Sequence, residues 1–196
     1  MIKPFVLASQ SPRRRDLLEK AGLTFEVLVK FTEEEDYPEE LPVEDVPVYL
    51  ARKKATATSQ HLKEAFHGRH SDEFVVGADT IVIIDGEILN KPETIENAKA
   101  MLQKLSGKTH KVITGVVILT AEKEVNFSEV TEVTFNTLTE FDVNYYVDNY
   151  KPLDKAGAYA IQEWIGLTAI NCINGDYYNV VGLPVNRLMK ELMKLQ

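Results

Sequence analysis

A hydroxyl-rich turn followed by arginines is the first stretch of the chain whose residue types could do chemistry. Ser9 and Ser11 follow a short apolar run, Ser11 suits a helix N-cap, and Pro12 suits the first helical position. Three consecutive arginines then occupy the first turn, where the helix dipole is already positive and usually favours acidic residues. Backbone N–H groups, serine hydroxyls and guanidinium groups together suit a phosphate. The alternative is a solvated basic start to an ordinary helix, and the pattern alone leaves both open.

A lone acidic residue within an apolar run is the second feature of this kind. Residues 74–84 are apolar on both sides of Asp79, and continuous apolar runs are typical of strands buried on both faces. Because an unpaired buried carboxylate is costly, Asp79 needs a partner. It either caps a backbone turn at a bulge made by Gly77, or it holds a divalent cation or activates a water molecule.

Two lysines stand where ordinary surface lysines do not. A helix is predicted from 46 to 66, and Lys54 falls in the middle of its apolar arc. There the side chain either extends to an edge of the arc or meets an anion. Lys91 follows an apolar pair after a hairpin turn predicted at 85–86, and the return strand brings it back along the apolar run.

Two further stretches offer possible ligands. The acidic run at residues 33–40 is typical of a solvated loop, although one of its carboxylates could bind a metal. The segment 154–162 combines Asp154, Lys155 and Gln162 with small residues, which let a backbone approach a ligand closely. The amide of Gln162 offers both a donor and an acceptor, so it could read the edge of a base or serve as a surface or capping amide.

Strands and helices must position these residues, and the hydrophobic patterning predicts where the elements lie. Besides the helix that follows Ser11 and the elements named above, the patterning predicts strands at 5–8 and 25–29, a helix at 92–105, strands at 111–120 and 125–138, a helix from a capping box at 139–142 to Tyr150, a hairpin of 164–172 with 177–181, and a helix after Pro184.

Composition and charge narrow the class of protein. A chain of 196 residues of which 44% are apolar is expected to form one domain, 1–196, with a sizeable core that can divide into two lobes. The net charge of −8 disfavours a nucleic acid polymer as partner, so an anionic ligand should be a small molecule met by a local basic pocket. The chain lacks a P-loop motif, which disfavours a P-loop kinase or ATPase.

The chain is expected to work in the cytoplasm. The lone Cys172 cannot form an internal disulfide, which suits a reducing compartment. The N-terminus does not have the pattern of a signal peptide, and no apolar run is long enough to span a membrane, so no membrane partner is expected. The sequence does not determine the oligomeric state, and a homodimer is one option.

Several motifs, taken in order along the chain, resemble those of the Maf family of nucleoside triphosphate pyrophosphatases. Any one of them is a weak signal, but all of them in order are specific, and the similarity runs from Phe5 to the last helix. The motifs are Leu7-Ala-Ser-Gln-Ser-Pro-Arg-Arg, Gly77-Ala-Asp-Thr, Asn90-Lys-Pro, Asp154-Lys-Ala-Gly-Ala-Tyr, Gly175-Asp-Tyr-Tyr and Gly182-Leu-Pro.

The resemblance implies both a fold and a reaction. The implied fold is α/β, a mixed twisted sheet with flanking helices in two lobes around a central cleft, similar to the house-cleaning inosine triphosphate pyrophosphatases. The implied reaction is hydrolysis of a nucleoside triphosphate to the monophosphate and pyrophosphate with a divalent cation, Mg²⁺ or Mn²⁺. The alternative function is a nucleotide-binding regulator of cell division, a septum formation inhibitor with little turnover.

The resemblance also assigns roles to the residues that could bind and cleave the triphosphate. It implies that Ser9 and Arg14 bind the triphosphate and that Lys54 and Lys91 neutralise its charge. It implies that Asp79 is the general base or an acid linked to the metal.

The remaining implied roles concern the later part of the chain and substrate selectivity. Asp154 and Lys155 match a later substrate-binding motif of the family. Arg13, Thr80 and Gln162 resemble the residues of the subgroup that acts on dTTP and UTP, whereas the subgroup acting on 7-methyl-GTP tends to carry an aromatic residue where Arg13 stands.

The sequence departs from the family pattern at two places. The family usually has glycine where Asn90 precedes Lys91. The catalytic glutamate of the family normally follows an aspartate, but here it lies within a run of three glutamates. Spacing to the following Tyr-Pro pair favours Glu35, which would then be the second metal ligand beside Asp79, and spacing from the preceding strand favours Glu34.

Overall fold

The computed structural model describes residues 2–30, 36–65 and 73–196, so the predictions for Glu34 and Glu35 lie outside the described residues. The strands are β1 (Phe5–Leu7), β2 (Phe25–Val27), β3 (Phe74–Ile84), β4 (Glu87–Leu89), β5 (Thr109–Leu119), β6 (Glu124–Phe135) and β7 (Ile170–Asn174). The helices are α1 (Pro12–Lys20), α2 (Val46–Ala65), α3 (Ile95–Leu105), α4 (Glu140–Tyr150), α5 (Trp164–Thr168), α6 (Tyr177–Val181) and α7 (Val185–Lys194).

The strands of the described residues form one seven-stranded mixed sheet in the order β2-β1-β3-β5-β6-β7, with β4 paired to β3. Strand β1 runs parallel to both β2 and β3, and its Leu7 pairs with Val76. Strand β4 runs antiparallel to β3, and strand β7 runs antiparallel to β6. The α/β class, with a mixed sheet and flanking helices, is therefore confirmed.

Residue contacts divide the chain into two units, each with a hydrophobic core of its own. The first unit comprises Met1–Asp79, Thr114–Glu129 and Gly182–Gln196, and the second comprises Thr80–Ile113 and Val130–Val181. The first core includes Val6, Ala8, Ala51, Ala55, Leu62, Val75 and Val117. The second includes Val82, Ile84, Leu102, Leu105, Val112, Val133, Phe135, Tyr146, Val147, Tyr159, Ile161 and Ile165.

Local signals in the sequence placed several element boundaries correctly. Ser11 caps α1, and Thr139 and Asp142 form the predicted capping box at the start of α4. Asp85 and Gly86 both have positive φ, as a two-residue turn of type I′ requires, and join β3 to β4.

The predicted start of α3 at Pro92 is wrong. The helix begins at Ile95, because the side chain of Thr94 accepts a hydrogen bond from the backbone N–H of Asn97 and ends the preceding extended segment.

The predicted hairpin of 164–172 with 177–181 is also wrong. Residues 164–168 and 177–181 are the short helices α5 and α6, and β7 pairs with β6 instead. Their aromatic and β-branched residues favour strands, but the side chain of Asp176 accepts from the N–H of Tyr178 at the start of α6. Among the described residues, no helix is long and apolar enough to cross a membrane.

A histidine lies in the core of the second unit. His110 is almost fully buried, its Nε2 lies 2.7 Å from the hydroxyl of Tyr159, and its ring packs edge-on against Phe135. Its Nδ1 has no hydrogen-bond partner among the described residues. Burial lowers the pKa of His110 from its ordinary value of 6.5 to about 4, so the buried ring is neutral at neutral pH.

We expect the free energy of unfolding to fall as the pH drops from about 6.5 to about 4, because the unfolded chain protonates His110 while the folded chain resists protonation. The contribution of this group is on the order of 3–4 kcal/mol, since one pKa unit corresponds to about 1.4 kcal/mol. In His110→Gln, which keeps a hydrogen-bonding side chain but cannot titrate, urea denaturation at several pH values should show a shallower fall. Equal slopes in the two proteins would contradict this assignment.

Candidate active site

Parallel pairing brings the carboxyl end of β1 beside Val76 of β3 in the first unit, three residues before Asp79. The ladder from Leu7 to Val76 continues with a hydrogen bond of 2.8 Å from the N–H of Ala8 to the carbonyl oxygen of Val76. Ser9 therefore follows directly beside the stretch of β3 that leads to Asp79. Carboxyl ends of parallel strands are where α/β sheets usually bind ligands.

The guanidinium group of Arg14 links three segments of the first unit. Arg14 is 8% exposed; its Nε donates to the carbonyl of Gly182 at 2.8 Å and its Nη1 donates to the carbonyl of Ala78 at 2.8 Å. The same Nη1 donates to the hydroxyl of Ser9 at 3.0 Å. Arg14 thus holds the backbone next to Asp79 in place. That it also binds a triphosphate stays a prediction.

Close packing of α2 on β3 sets the position of Lys54. A Cβ atom added to Gly77 would lie 2.3 Å from the carbonyl oxygen of Ala51 and 2.9 Å from the Cβ of Ala55, so only glycine lets the helix approach this closely. Asp79 lies two residues beyond Gly77 and so on the same face of the strand. Lys54, between those two alanines, reaches it. Gly77 therefore serves helix packing.

Lys54 and Asp79 form an ion pair in which Nζ donates to Oδ1. The two side chains are 24% and 10% exposed, so the pair is mostly sheltered from water. The sequence predicted both unusual features, a lysine amid an apolar arc and an acid inside a buried strand. The structure shows that each is the partner of the other.

Asp79 can contribute one ligand to a divalent cation. Because Lys54 occupies Oδ1 of Asp79, Oδ2 is the oxygen that can face a ligand, and carboxylate oxygens suit Mg²⁺ and Mn²⁺. No group of three or more His, Cys, Asp or Glu side chains lies together within the described residues. A cation at Asp79 therefore needs a further carboxylate, and Glu34 and Glu35 lie outside the part of the chain that the structure describes. The chain re-enters that part at Asp36, whose carboxylate pairs with Lys53, the neighbour of Lys54 on α2.

The second unit places two more predicted segments side by side. The N–H of Gly157 donates to the carbonyl of Asn90 at 3.3 Å, so the segment that carries Asp154 and Lys155 lies against the one that carries Lys91. Lys91 and Asp154 are exposed, whereas Lys155 is buried.

The three residues predicted to set selectivity lie at surfaces. Arg13, in the first turn of α1, and Thr80, directly after Asp79 on β3, are each partly exposed. Gln162 is exposed in a turn of the second unit. Each of the three therefore has exposed surface that a ligand can contact.

Sequence reasoning missed the partners of Lys155. Its Nζ lies 2.7 Å from Oδ1 of Asp154 and 3.5 Å from Oε1 of Glu163, and the other oxygen of Glu163 accepts from the hydroxyl of Tyr146. A signal was available, because Tyr146 lies on the apolar face of α4 beside Val143 and Val147, and a buried tyrosine hydroxyl usually needs a partner.

Comparison with known proteins gives a consistent result along the whole chain. A family model described as Maf-like protein matches residues 4–195. The dTTP/UTP pyrophosphatase of Phocaeicola vulgatus is 48% identical over 190 residues, which cover 97% of this chain and 95% of the relative. The dTTP/UTP pyrophosphatase of Bacillus cytotoxicus is 48% identical over 191 residues, with the same two coverages.

A solved structure bears on the fold. The Ham1 protein of Staphylococcus aureus superposes with a TM-score of 0.52 at 14% sequence identity, over 99% of this chain and 100% of that protein. The likeness agrees with the α/β architecture described above.

The contacts of Arg14 predict a large effect on stability. In Arg14→Ala, the buried carbonyls of Ala78 and Gly182 lose a charged donor, at about 1–3 kcal/mol for each group left unsatisfied, and the free energy of unfolding should fall accordingly. The neighbouring Arg15 is exposed, and Arg15→Ala should change the free energy of unfolding by less than about 0.5 kcal/mol. Denaturant unfolding of both variants without nucleotide measures the difference. Equal stabilities would mean that Arg14 does not hold these segments.

Proposed function

The chain belongs to the Maf-like protein family, and from that premise we propose that it is a nucleoside triphosphate pyrophosphatase acting on dTTP and UTP. The products are the nucleoside monophosphate and inorganic pyrophosphate. The proposed role is house-cleaning of the nucleotide pool in the cytoplasm. The names of the relatives that match along nearly the whole chain support the substrate. The single structural observation that supports the proposal is the sheltered pair of Asp79 and Lys54, close to the carboxyl end of β1.

Asp79 supplies the base in the proposed reaction. Its carboxylate takes a proton from a water molecule as the water oxygen attacks the α-phosphorus. The bond from that phosphorus to the bridging oxygen breaks, and pyrophosphate leaves with the electron pair. Lys54 keeps the carboxylate oriented through Oδ1 and adds positive charge beside the phosphates, where negative charge develops.

A divalent cation, Mg²⁺ or Mn²⁺, completes the proposal. Asp79 and either Glu35 or Glu34 would hold it, since carboxylate oxygens are the ligands that such cations prefer. When bound, it supplies charge neutralisation for the phosphate oxygens.

The other predicted residues bind and discriminate. Ser9, Lys91 and Lys155 offer a hydroxyl and two ammonium groups to the phosphates, with Arg14 holding the hydroxyl of Ser9 in place. Arg13, Thr80 and Gln162 offer hydrogen-bonding groups that select the base. Asp154 completes the proposed substrate-binding residues beside Lys155.

Hydrolysis in water enriched in oxygen-18 tests the reaction. With dTTP or UTP and Mg²⁺ or Mn²⁺, we expect one labelled oxygen in the monophosphate and none in the pyrophosphate, because the water attacks the α-phosphorus. A chelator should abolish turnover, and added metal should restore it. Label in the pyrophosphate would contradict the site of attack, and nucleotide binding without turnover would favour a regulatory role instead.

Substitution of the proposed base tests the role of Asp79. Asp79→Asn keeps the size of the side chain and an oxygen that can accept from Lys54, so we expect it to fold and to bind dTTP in calorimetry. Its kcat should fall by about 10²–10⁴-fold, the usual contribution of a general base.

A matched control is available in the same unit. Asp16 pairs with Lys20 at 2.7 Å on the exposed surface of α1, and Asp16→Asn should leave kcat unchanged. Turnover near that of the control in Asp79→Asn would remove Asp79 from its proposed role.

A further inference from the structure

The exposed Gln162 belongs to a tight turn of the second unit. The N–H of Glu163 donates to the carbonyl of Ala160 at 3.0 Å, which closes a turn with Ile161 and Gln162 at its centre. Ile161 is buried in the core of that unit, whereas Gln162 is exposed. One central residue therefore anchors the turn and the other presents its amide to solvent.

The hydroxyl of Tyr146 holds both ends of this turn. It accepts a hydrogen bond from the N–H of Ala160 at 3.1 Å and donates one to the carboxylate of Glu163. Tyr146 itself has no exposed surface. Burial and the negative charge of Glu163 raise the pKa of Tyr146, so its hydroxyl keeps its proton and remains a donor.

Helix α5 blocks movement of the turn from another side. A Cβ atom added to Gly166 would lie 1.7 Å from the carbonyl oxygen of Ile161, so the helix backbone touches the backbone of the turn. The N–H of Gly166 also donates to the carbonyl of Glu163 at 3.0 Å. The turn is thus held by α4 through Tyr146 and by α5 through Gly166.

We propose that Tyr146 is a positioning residue for base selectivity, because its hydroxyl fixes the turn that presents the amide of Gln162. The inference rests on the proposed function, in which Gln162 contacts the base. A fixed amide discriminates between a carbonyl and an amino group on a pyrimidine ring, because the wrong partner leaves a polar group unpaired. A loosened turn lets the amide adapt and so weakens the discrimination.

The test compares kcat/KM for UTP and CTP, whose bases differ only in the group at C4, a carbonyl or an amino group, and in the proton on the adjacent N3. In Tyr146→Phe, which removes only the hydroxyl, the ratio of the two values should fall by about tenfold, mainly through the KM for UTP. The control is Tyr150→Phe, one turn along α4, whose ring stacks on Tyr146 with centroids 5.0 Å apart; its ratio should equal that of the wild type.

A second pair of variants, at Glu163, separates the effect of the hydrogen bond to Tyr146 from the effect of the negative charge. The same pair tests the inference if Tyr146→Phe does not fold. Glu163→Gln keeps an oxygen that can accept from the hydroxyl of Tyr146, and it should keep the ratio although the charge facing Lys155 is lost. Glu163→Ala removes the acceptor and should lower the ratio as Tyr146→Phe does.

The outcomes distinguish this inference from the proposed function. A wild-type protein that hydrolyses neither dTTP nor UTP overturns the proposed function and this inference with it. Turnover by the wild type, with equal ratios in Tyr146→Phe and the wild type, overturns the inference alone. A uniform loss of kcat/KM for both substrates would mean that the hydroxyl serves stability and not selectivity.

Discussion

The distance at which helix α2 packs on strand β3 is the constraint on which the candidate active site depends. Gly77 has no side chain, and the carbonyl of Ala51 occupies the space that a Cβ atom would take. A wider separation would carry Lys54 away from Asp79 and leave a mostly buried carboxylate without its compensating charge, which is costly in a protein interior. Backbone packing at the uncharged Gly77 therefore sets how Lys54 and Asp79 lie relative to each other.

Arg14 and Lys54 act in different ways around Asp79. Arg14 gives its donors to backbone carbonyls and to Ser9, and in doing so ties the first motif of the chain to Ala78 and to Gly182, 168 residues away. Lys54 meets the carboxylate itself. A planar guanidinium with several fixed donors suits the joining of segments, whereas an ammonium is a compact point charge. In a chain with a net charge of −8, these groups supply local positive charge beside the strand edge.

The sequence predicted features that depend on near neighbours and missed those that depend on distant ones. The caps at Ser11 and Thr139 follow from residues within one turn, and Lys54 and Asp79 stood out because a charge within an apolar pattern is unusual. Helix α6 was mistaken for a strand, because its Tyr-Tyr-Asn-Val-Val sequence favours strands, while Asn179 donates to the carbonyl of Val112 and to Thr131, far along the chain. The carbonyl partners of Arg14 were missed for the same reason.

Gly77, Gly115 and Gly166 have one property in common, which bears on efforts to make the protein more heat-resistant. Each has a backbone conformation open to other amino acids, and in each a Cβ atom would lie within 2.5 Å of a neighbouring backbone atom. Replacing glycine by alanine is a standard way to rigidify a chain, since it reduces the freedom of the unfolded state. Here that gain would be outweighed by collision, so engineering of this scaffold would have to begin at other positions.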